Sequence, residues 1–457
     1  MLLMREKNLT SGNVLNVLVA FSWPYLISSF LQQLYGLVDV LIVGRFCSTA
    51  QLGAVTTGSQ FMHMITAMIL GLAVGVTVLL AKLTGAGERN KLPEGIRLGF
   101  LLFGVLSLLL MVVLILGLDP ILTLLHVPFE AVEACRDYLI VCLIGLLPIC
   151  FFNVSSSVFR GLGDSLTPMY TIACACLVNI LLDYLFVAVF SMQALGAALA
   201  TVLAQALAAA LAFVLMKQRY NALVPENWKA PIDKNLLSQI VGVGAPVAFQ
   251  DGIIQISFLI ITAIGNSLGL VSAAAIGVVE KLISFLFIVP SSLSQSLSAM
   301  AAQNIGALKY RRACSALKWA ITICLIYGLM IVLLSWTCGG SLISIFTPDR
   351  QVVEAGIPYL KSYSFDTVFV AVHFCMGTYF CAFSKSTLSF IQNFLSVLFF
   401  RIPLAWLAAR YHPENLFWMG LAAPAGSFFQ ALFCLGAFAK LRSVFLPPDS
   451  IKSEVYQ

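Results

Sequence analysis

The sequence predicts an all-α polytopic membrane protein, with twelve transmembrane helices arranged in two six-helix lobes. Of its 457 residues, 60% are hydrophobic and only 10% are charged, and the mean hydropathy is +0.97. Apolar runs longer than about 18 residues recur along the chain, as in membrane-spanning helices. The two halves also resemble each other at a nearly fixed offset. So few charges could not cover a soluble protein of this size, and lipid admits only helices or closed barrels.

Breaks at charged and Gly/Pro-containing stretches delimit the twelve predicted spans. We expect the first helix to stay in the membrane, because its apolar run is too long for a signal peptide and no cleavage site follows it. The predicted spans are 14–43, 52–81, 98–118, 137–158, 167–190, 194–216, 235–264, 272–302, 316–338, 358–383, 387–409 and 416–439.

The distribution of Lys and Arg predicts the orientation. With a cytoplasmic N-terminus, 19 of these residues fall on the cytoplasmic side, five on the opposite side and two inside spans. This asymmetry follows the positive-inside rule. It predicts a multi-pass protein of the plasma membrane with both termini in the cytoplasm.

An internal repeat relates the two halves. "GRFCSTAQLGAV" (44–55) lies over "GNSLGLVSAAAI" (265–276), and "AKLTGAG" (81–87) lies over "AQNIGAL" (302–308), both at an offset of 221. We predict an N-terminal lobe at 1–216, a cytoplasmic linker at 217–234, a C-terminal lobe at 235–441 and a cytoplasmic tail at 442–457. A two-lobed repeat around a central cavity is typical of transporters that alternate between two open states.

Asp39 is the first acidic residue inside a predicted span. It shares one helix face with Gln32 and Tyr35, at helical steps of three and four. Ionisable residues inside a membrane normally face the bundle interior and mark ion or substrate paths. The alternative is that Asp39 only caps a helix end near Arg45.

Asn179 and Asp183 lie one helical turn apart in a later span. An amide and a carboxylate on one face can jointly hold a proton or a small cation. The alternative is a polar pair that joins two helices. Secondary candidates lie in the C-terminal half: Gln250, Asp251, Glu280 and Asp366. For Glu280, structural pairing with the adjacent Lys281 or with Arg401 is favoured over a role in transport.

Several other function classes lack support. "GLGD" (161–164) resembles a motif of intramembrane aspartyl proteases but falls in a cytoplasmic loop. The histidines and cysteines show no zinc spacing, and no phosphate-binding loop is present. No basic, aromatic-interleaved patch suggests nucleic acid. We therefore expect that the protein is not an enzyme and binds no cofactor. We also expect it to lie in a lipid bilayer and not to bind nucleic acid.

Three motifs together resemble the multidrug and toxic compound extrusion (MATE) family, in its DinF-like prokaryotic branch: "QQLYGLVDVLIVGR" (32–45), "FRGLGDSLTP" (159–168) and "AQNIGA" (302–307). The resemblance implies a monomeric secondary antiporter. Small organic compounds, often cationic and amphipathic, leave the cell while H⁺ or Na⁺ enters.

The resemblance also assigns roles to individual residues. Asp39 matches the carboxylate of the first helix, Asn179 and Asp183 match the acidic motif of the fifth, and Thr201 matches a threonine of the sixth that joins them. These four positions are the implied site for H⁺ or Na⁺. Asn153, with Gln32 and Tyr35, matches polar positions that line the substrate cavity.

Departures from the family pattern leave the ion open. The C-terminal counterpart of "RGLGDS" reads "CAFSKS", and Asp251 and Asp366 do not align with the acidic ligands of the sodium-coupled branch. A lipid-linked saccharide flippase of the same superfamily is an alternative, although such proteins have a cationic cavity. An intramembrane enzyme that uses Asp39 and Asp183 as an acid/base pair is the alternative from another class.

Overall fold

A computed structural model describes residues 8–225 and 227–447. Within these ranges the chain forms helices joined by short turns, without a β-strand. The α-helices are α1 (Val14–Phe46), α2 (Thr49–Ala86), α3 (Leu92–Leu116), α4 (Leu118–Leu124), α5 (Val132–Ile144), α6 (Leu146–Gly161), α7 (Leu166–Asp183), α8 (Gln193–Arg219), α9 (Lys234–Asn266), α10 (Leu270–Leu286), α11 (Ile288–Gly306), α12 (Tyr310–Ser344), α13 (Arg350–Ser364), α14 (Asp366–Ala382), α15 (Ser386–Ser396), α16 (Ile402–Tyr411), α17 (Leu416–Gly420), α18 (Ala422–Lys440) and α19 (Arg442–Phe445).

The predicted all-helical membrane fold is confirmed. In the described chain, nine helices are long and apolar enough to cross a membrane, and three bent helix pairs raise the number to twelve. The pairs bend by 44° between α5 and α6, by 40° between α10 and α11, and by 41° between α13 and α14. Each of the twelve lies over one predicted span.

The helices extend beyond the predicted span limits. The second span, expected at 52–81, is part of α2, which runs from Thr49 to Ala86. The Ser48 side chain accepts a hydrogen bond from the backbone of Gln51 at one end, and Gly87 takes a left-handed conformation at the other. Hydropathy locates only the apolar centre of a helix, whereas these end residues stop the helix itself.

Packing divides the chain into two units. Unit A contains Asn8 and Ile27–Gly244, and unit B contains Leu9–Leu26 together with the chain from Ala245 onward. Helix α1 therefore begins in unit B and ends in unit A, whereas α9 begins in unit A and ends in unit B. The sequence limits of the lobes, linker and tail stay predictions, and residues 448–457 of the tail lie outside the described chain.

Glycines bring the start of α9 against α2 within unit A. A Cβ at Gly75 would lie 2.1 Å from the carbonyl oxygen of Ile240, and one at Gly244 would lie 2.3 Å from the carbonyl oxygen of Leu72. Only glycine permits such an approach of one backbone to another. Close packing through small residues is the usual way in which membrane helices associate.

An arginine anchors the segment that leads into α9. The guanidinium of Arg97, which is 1% exposed, donates to the carbonyl oxygens of Trp228, Ala230 and Pro231 at 3.2, 2.6 and 2.8 Å. Its Nε and Nη2 atoms also donate to the two carboxylate oxygens of Glu94, at 2.8 and 2.6 Å. The end of the predicted linker is thus held against α3.

A second arginine anchors the segment that leads into α1, within unit B. Arg312 on α12 donates to the carbonyl oxygens of Ser11 and Gly12 at 2.7 and 2.6 Å. It also reaches the carbonyl oxygen of Leu9 at 3.4 Å, and the Asn304 amide donates to that same oxygen at 3.1 Å. We call residues 9–12 and 228–231 the lead segments. In each unit, one arginine holds the lead segment by donating hydrogen bonds to its backbone carbonyl oxygens.

Candidate functional site

Four of the predicted site residues come together in unit A. Asp39 lies on the second half of α1, Asn179 and Asp183 lie at the end of α7, and Thr201 lies on α8. The Thr201 hydroxyl donates a long hydrogen bond of 3.5 Å to Asp39 Oδ2. The side chains of Asp183 and Asn179 also interact with the Asp39 carboxyl group. We call these four residues the Asp39–Asp183 group.

The Asp39–Asp183 group has unmet hydrogen-bonding capacity. Asp183 is 0% exposed, and neither of its oxygens has a hydrogen-bond partner with good geometry. The same holds for Asp39 Oδ1 and for both amide atoms of Asn179. Ionised carboxylates only accept hydrogen bonds. Two of them can lie side by side only when a proton or a cation is placed between them.

No protein cation neutralises the pair within the described residues. The ion pairs there involve other carboxylates, and no Lys or Arg nitrogen lies within 4.0 Å of Asp39 or Asp183. A buried charge without a partner is costly in an apolar environment. The group is therefore equipped to bind a small positive ion.

The helix that carries Asp183 changes its winding there. Immediately after Asp183, residues 184–189 form a π-helical turn, in which the Phe190 amide donates to the Leu185 carbonyl oxygen at 2.9 Å. Such turns leave helix carbonyls imperfectly matched and occur often at functional sites. The turn ends the regular part of α7 at the acidic residue.

Gln205 also lies in this region, and the sequence analysis did not predict it as a site residue. Its amide donates to the Tyr35 hydroxyl at 3.5 Å, so α8 contacts the same stripe of α1 that carries Asp39. Gln205 lies one helical turn beyond Thr201 and thus on the same face of α8. That spacing was the available signal, since a residue four positions from a predicted ligand faces the same neighbours.

Tyr138 on α5 was also missed. It is 5% exposed and interacts electrostatically with Asp39 and Asp183. Gly58 on α2 makes room for its ring, since a Cβ there would lie 2.6 Å from a ring carbon. Nothing in the local sequence around Tyr138 marks it, because the contact depends on how three helices pack.

In the described part of the chain, none of the three predicted cavity residues is hydrogen-bonded to this group. The amide of Asn153 is buried and donates at 2.8 Å to the carbonyl oxygen of Ile149, on its own helix. Gln32 is half-buried, and none of the hydrogen bonds of the described residues includes its side chain. The Tyr35 hydroxyl accepts its hydrogen bond from Gln205.

The secondary candidates all belong to unit B. Gln250 accepts a hydrogen bond of 2.8 Å from the Ser389 hydroxyl, which ties α9 to α15. Asp251 is half-buried beside it. Glu280 and Asp366 both interact electrostatically with Arg401, but neither lies within the 4.0 Å of an ion pair. The pairing expected for Glu280 is therefore an interaction at longer range.

The "GLGD" stretch has a structural role. Asp164 Oδ1 accepts hydrogen bonds from the backbone amides of Leu166 and Thr167, at 3.1 and 3.0 Å, where α7 begins. Its other oxygen accepts from Arg219 at 3.3 Å. Asp164 therefore caps the start of α7, as acidic residues at helix N-termini commonly do. It also pairs with Arg219 at the end of α8.

Ligand sets rich in acid, His or Cys do not occur in the part of the chain that the structure describes. There, no group of three or more His, Cys, Asp or Glu side chains comes together. The Asp39–Asp183 group offers two carboxylates, one amide and one hydroxyl. That donor set suits a proton or a singly charged hard cation better than a transition metal.

Curated relatives match most of the chain. The chain is 28% identical over 413 residues to "Probable multidrug resistance protein YpnP" of Bacillus subtilis, covering 89% of this chain and 92% of the relative. It is 23% identical over 418 residues to "Probable multidrug resistance protein NorM" of Thermotoga maritima, covering 89% and 88%.

Solved structures share the fold. "Outward-facing conformation of a multidrug resistance MATE family transporter of the MOP superfamily" superposes with a TM-score of 0.89 at 19% identity, covering 96% of this chain and 99% of that one. The family model MatE matches the chain twice, at residues 24–185 and 246–407, which confirms the internal repeat. The two matches include Asp39, Asp183 and Arg401, and cover well over half of the sequence. The chain belongs to the MatE family of membrane transporters and is not an enzyme.

Proposed function

We propose that this transporter exports organic, often cationic and amphipathic compounds in exchange for H⁺ or Na⁺. The observation that carries the proposal is the Asp39–Asp183 group, two adjoining carboxylates of unit A with no Lys or Arg of the described residues beside them. The names of the curated relatives, which include probable multidrug resistance proteins, support the substrate class. The protein acts as a monomer in the plasma membrane with both termini in the cytoplasm.

The mechanism follows from the cost of a buried negative charge. When the group faces the outside, H⁺ or Na⁺ binds between Asp39 and Asp183 and neutralises them. This removes their attraction for a cationic substrate, which leaves. When the group faces the cytoplasm, the ion dissociates and the restored charge attracts the next substrate. Coupling requires that ion and substrate compete or favour different states.

The other residues of the region have supporting roles in this mechanism. The Thr201 hydroxyl and the Asn179 amide supply oxygens that orient an ion between the carboxylates. Tyr35, Gln205 and Gln32 form a polar face of α1 and α8 beside the group. Hydrogen-bonding groups there bind polar parts of a substrate, and the surrounding apolar residues contact its hydrophobic part.

Dye efflux from reconstituted vesicles tests the proposal. An imposed pH gradient and an imposed sodium gradient are applied separately to the wild-type protein, and the gradient that drives efflux identifies the ion. Asp39→Asn and Asp183→Asn are each expected to reduce gradient-driven efflux at least about tenfold, because each removes a charge on which coupling depends.

Asp119→Asn is the matched control. Asp119 is an exposed carboxylate paired with Arg136, so its neutralisation leaves efflux unchanged. Thermal stability of each variant in detergent separates lost coupling from misfolding. Undiminished efflux in both Asp39→Asn and Asp183→Asn would contradict the proposed coupling site.

The alternatives receive no comparable support. A flippase for lipid-linked saccharides needs cationic groups for the diphosphate of its substrate, whereas the Asp39–Asp183 group is acidic. Efflux of a cationic dye with no ion requirement would favour a different mechanism over antiport.

A further inference from the structure

At one end of unit B, positive side chains gather without acidic ones. This end is formed by the start of α12, the turn between α14 and α15, the end of α18 and α19. Its described residues include no Asp or Glu. The other end of the unit carries both signs, for example in the ion pair between Arg350 and Glu354. We call the following residues the basic end of unit B: Lys309, Arg311, Arg312, Lys318, Lys385, Lys440 and Arg442.

Ring contacts join the chain segments that carry these cations. The Tyr310 ring stacks on that of Phe383, just after α14, with the ring centroids 6.2 Å apart. Phe383 meets Phe445 of α19 edge to face at 4.9 Å, and Phe445 stacks on Phe438 of α18 at 5.3 Å. Each of these rings lies within three residues of a member of the basic end. The cations therefore belong to one contiguous surface.

The turn before α12 has a counterpart in unit A, before α3. Glu88 and Lys309 are 221 positions apart, the offset of the repeat. In both turns the backbone amide of this residue donates to the carbonyl oxygen five positions earlier, at 3.0 and 2.8 Å. In unit A, Glu88 forms an ion pair of 2.6 Å with Lys91. Unit B has a lysine where unit A has this acid.

The turn between α14 and α15 also has a counterpart, between α6 and α7. Asp164 and Lys385 are again 221 positions apart, and each backbone amide donates to the carbonyl oxygen five positions earlier at 2.8 Å. In unit A, Asp164 pairs with Arg219 at 3.3 Å. The residue 221 positions after Arg219 is Lys440. An ion pair of unit A is thus matched by two lysines in unit B.

This difference leaves unit B with positive charge that its described residues do not balance. Like charges repel, and an anion that binds among them lowers their energy. The positive-inside rule accounts for cations at this end of a membrane protein. The rule applies equally to the corresponding end of unit A, where acids accompany the cations. It therefore does not explain why the acids are missing from unit B.

The position of the cations on α12 selects the kind of anion. Arg311 and Lys318 are exposed on the same helix face as Ile326, Leu329 and Leu333, whose side chains are 65%, 60% and 65% exposed. Apolar side chains exposed on a spanning helix contact lipid tails. The cations at the end of that face then lie at the level of the lipid headgroups, which long basic side chains reach.

We propose that the basic end of unit B binds the phosphate headgroups of anionic phospholipids in the adjoining leaflet. The headgroups supply the negative charge that acids supply at the corresponding positions of unit A. Clusters of Lys and Arg beside membrane helices recognise anionic lipids through such attraction. Unit A, whose cations are paired, does not share this requirement.

Native mass spectrometry of the purified full-length protein in detergent tests the proposal. The protein is titrated separately with phosphatidylglycerol, which is anionic, and with phosphatidylcholine of the same acyl chains, which has no net charge. We expect the first phosphatidylglycerol to bind at least about tenfold more tightly than the first phosphatidylcholine, as several nearby cations predict.

A charge reversal on the surface provides the decisive variant. Lys318→Glu combined with Lys385→Asp, which restores at position 385 the residue type of unit A, should reduce the preference to less than about threefold. Lys217→Glu combined with Lys234→Glu is the matched control. It changes the net charge equally, at two exposed lysines of unit A, and should keep the preference. Melting temperatures in detergent verify that each variant is folded.

Three results would overturn the proposal. They are equal binding of the two lipids by the wild-type protein, a preference that survives the charge reversal, and a preference that falls equally in the control. Displacement of phosphatidylglycerol by an equal concentration of inorganic phosphate or of a short oligonucleotide would also overturn it, by assigning the surface to soluble anions. If the charge-reversed protein fails to fold, Lys318→Gln with Lys385→Asn takes its place and should weaken the preference at least about threefold.

Discussion

Asp39 and Tyr35 on α1 each accept a hydrogen bond from a different side chain of α8. Thr201 donates to Asp39, and Gln205 on the same helix donates to Tyr35, one turn of α1 away. The ion-binding and substrate-facing parts of α1 are therefore both fixed by α8. A substitution at Thr201 therefore affects the ion-binding part of α1, and a substitution at Gln205 affects the substrate-facing part.

Thr201→Val tests the contribution of the hydroxyl. Valine has the shape of threonine but cannot donate, so Asp39 Oδ2 loses the hydrogen bond of 3.5 Å from the Thr201 hydroxyl. We expect the apparent affinity for the coupling ion to fall about three- to tenfold, as a lost bond of about 1 kcal/mol predicts. The ion dependence of dye efflux measures it. Thr201→Ser keeps the hydroxyl and should behave as wild type; equal losses in both variants would assign Thr201 a packing role.

Gln205→Leu tests the Tyr35 contact. The leucine fills the same space without an amide, which leaves the Tyr35 hydroxyl unbonded to α8. We expect the apparent affinity for substrate to fall about two- to tenfold, while the ion dependence is retained. Gln218→Leu, at an exposed position near the end of the same helix, is the control. A shift in ion dependence rather than substrate affinity would contradict the separation of the two parts.

Residue spacing alone predicted the partners within one helix but not those between helices. Asn179 and Asp183 share a face because they are four positions apart, and Gln32, Tyr35 and Asp39 follow the same rule. Their approach to Thr201 came from the family resemblance. Tyr138 was missed because its contact depends on the packing of α5 and on the space left by Gly58, which no periodicity records.

Helix α2 and the start of α9 meet backbone to backbone within unit A. Gly75 and Gly244 lie at that contact, each with a carbonyl oxygen where a methyl group would be. A backbone carbonyl cannot move aside as a flexible side chain can. Glycine is therefore required at these two positions by the close approach of the helices, not by an unusual backbone conformation.

Gly75→Ala is expected to destabilise the protein by about 1–3 kcal/mol, because a Cβ would overlap the Ile240 carbonyl and force the helices apart. The apparent melting temperature in detergent measures the loss. Gly53→Ala is the control on the same helix, since a Cβ there meets open space and alanine favours a helix. A Gly75→Ala protein as stable as the Gly53→Ala protein would disprove the close contact.

The arginine contacts of the lead segments predict how readily each segment opens locally. Arg312→Lys replaces a fork that bonds several carbonyls by a single ammonium group, so residues 9–12 should exchange their amide hydrogens faster. Arg97→Lys should do the same at residues 228–231. Each variant is the control for the other, because the two segments belong to different units. Hydrogen exchange followed by mass spectrometry measures both; faster exchange at both segments in either variant would contradict independent anchoring.

At the level of the whole molecule, the positive-inside distribution predicts which loops face outside. Glu130→Cys introduces an exposed thiol in a loop expected outside, and Lys217→Cys introduces one at the cytoplasmic end of α8. A membrane-impermeant maleimide should label the first in intact cells and the second only after permeabilisation, each relative to the unmodified chain. The reverse pattern would invert the topology.

The twelve spans could be predicted because each apolar run is long and its borders are charged. The bends at Gly145, Phe287 and Phe365 could not, since hydropathy does not change where a span breaks. Nor did any local pattern indicate that the first part of α1 packs with unit B. That contact joins residues far apart in the chain, and neither periodicity nor hydropathy records it.

The distance spanned by the first lead segment has a consequence for biosynthesis. The Asn304 amide that bonds to Leu9 is 295 residues further along the chain. The ribosome therefore completes about two thirds of the protein before the beginning of α1 meets its binding partners, and contacts so remote in sequence form late. Until then residues 9–12 lack the hydrogen bonds from Asn304 and Arg312. Shortening or tagging the segment before Leu9 should therefore lower the yield of folded protein rather than the activity of each folded molecule.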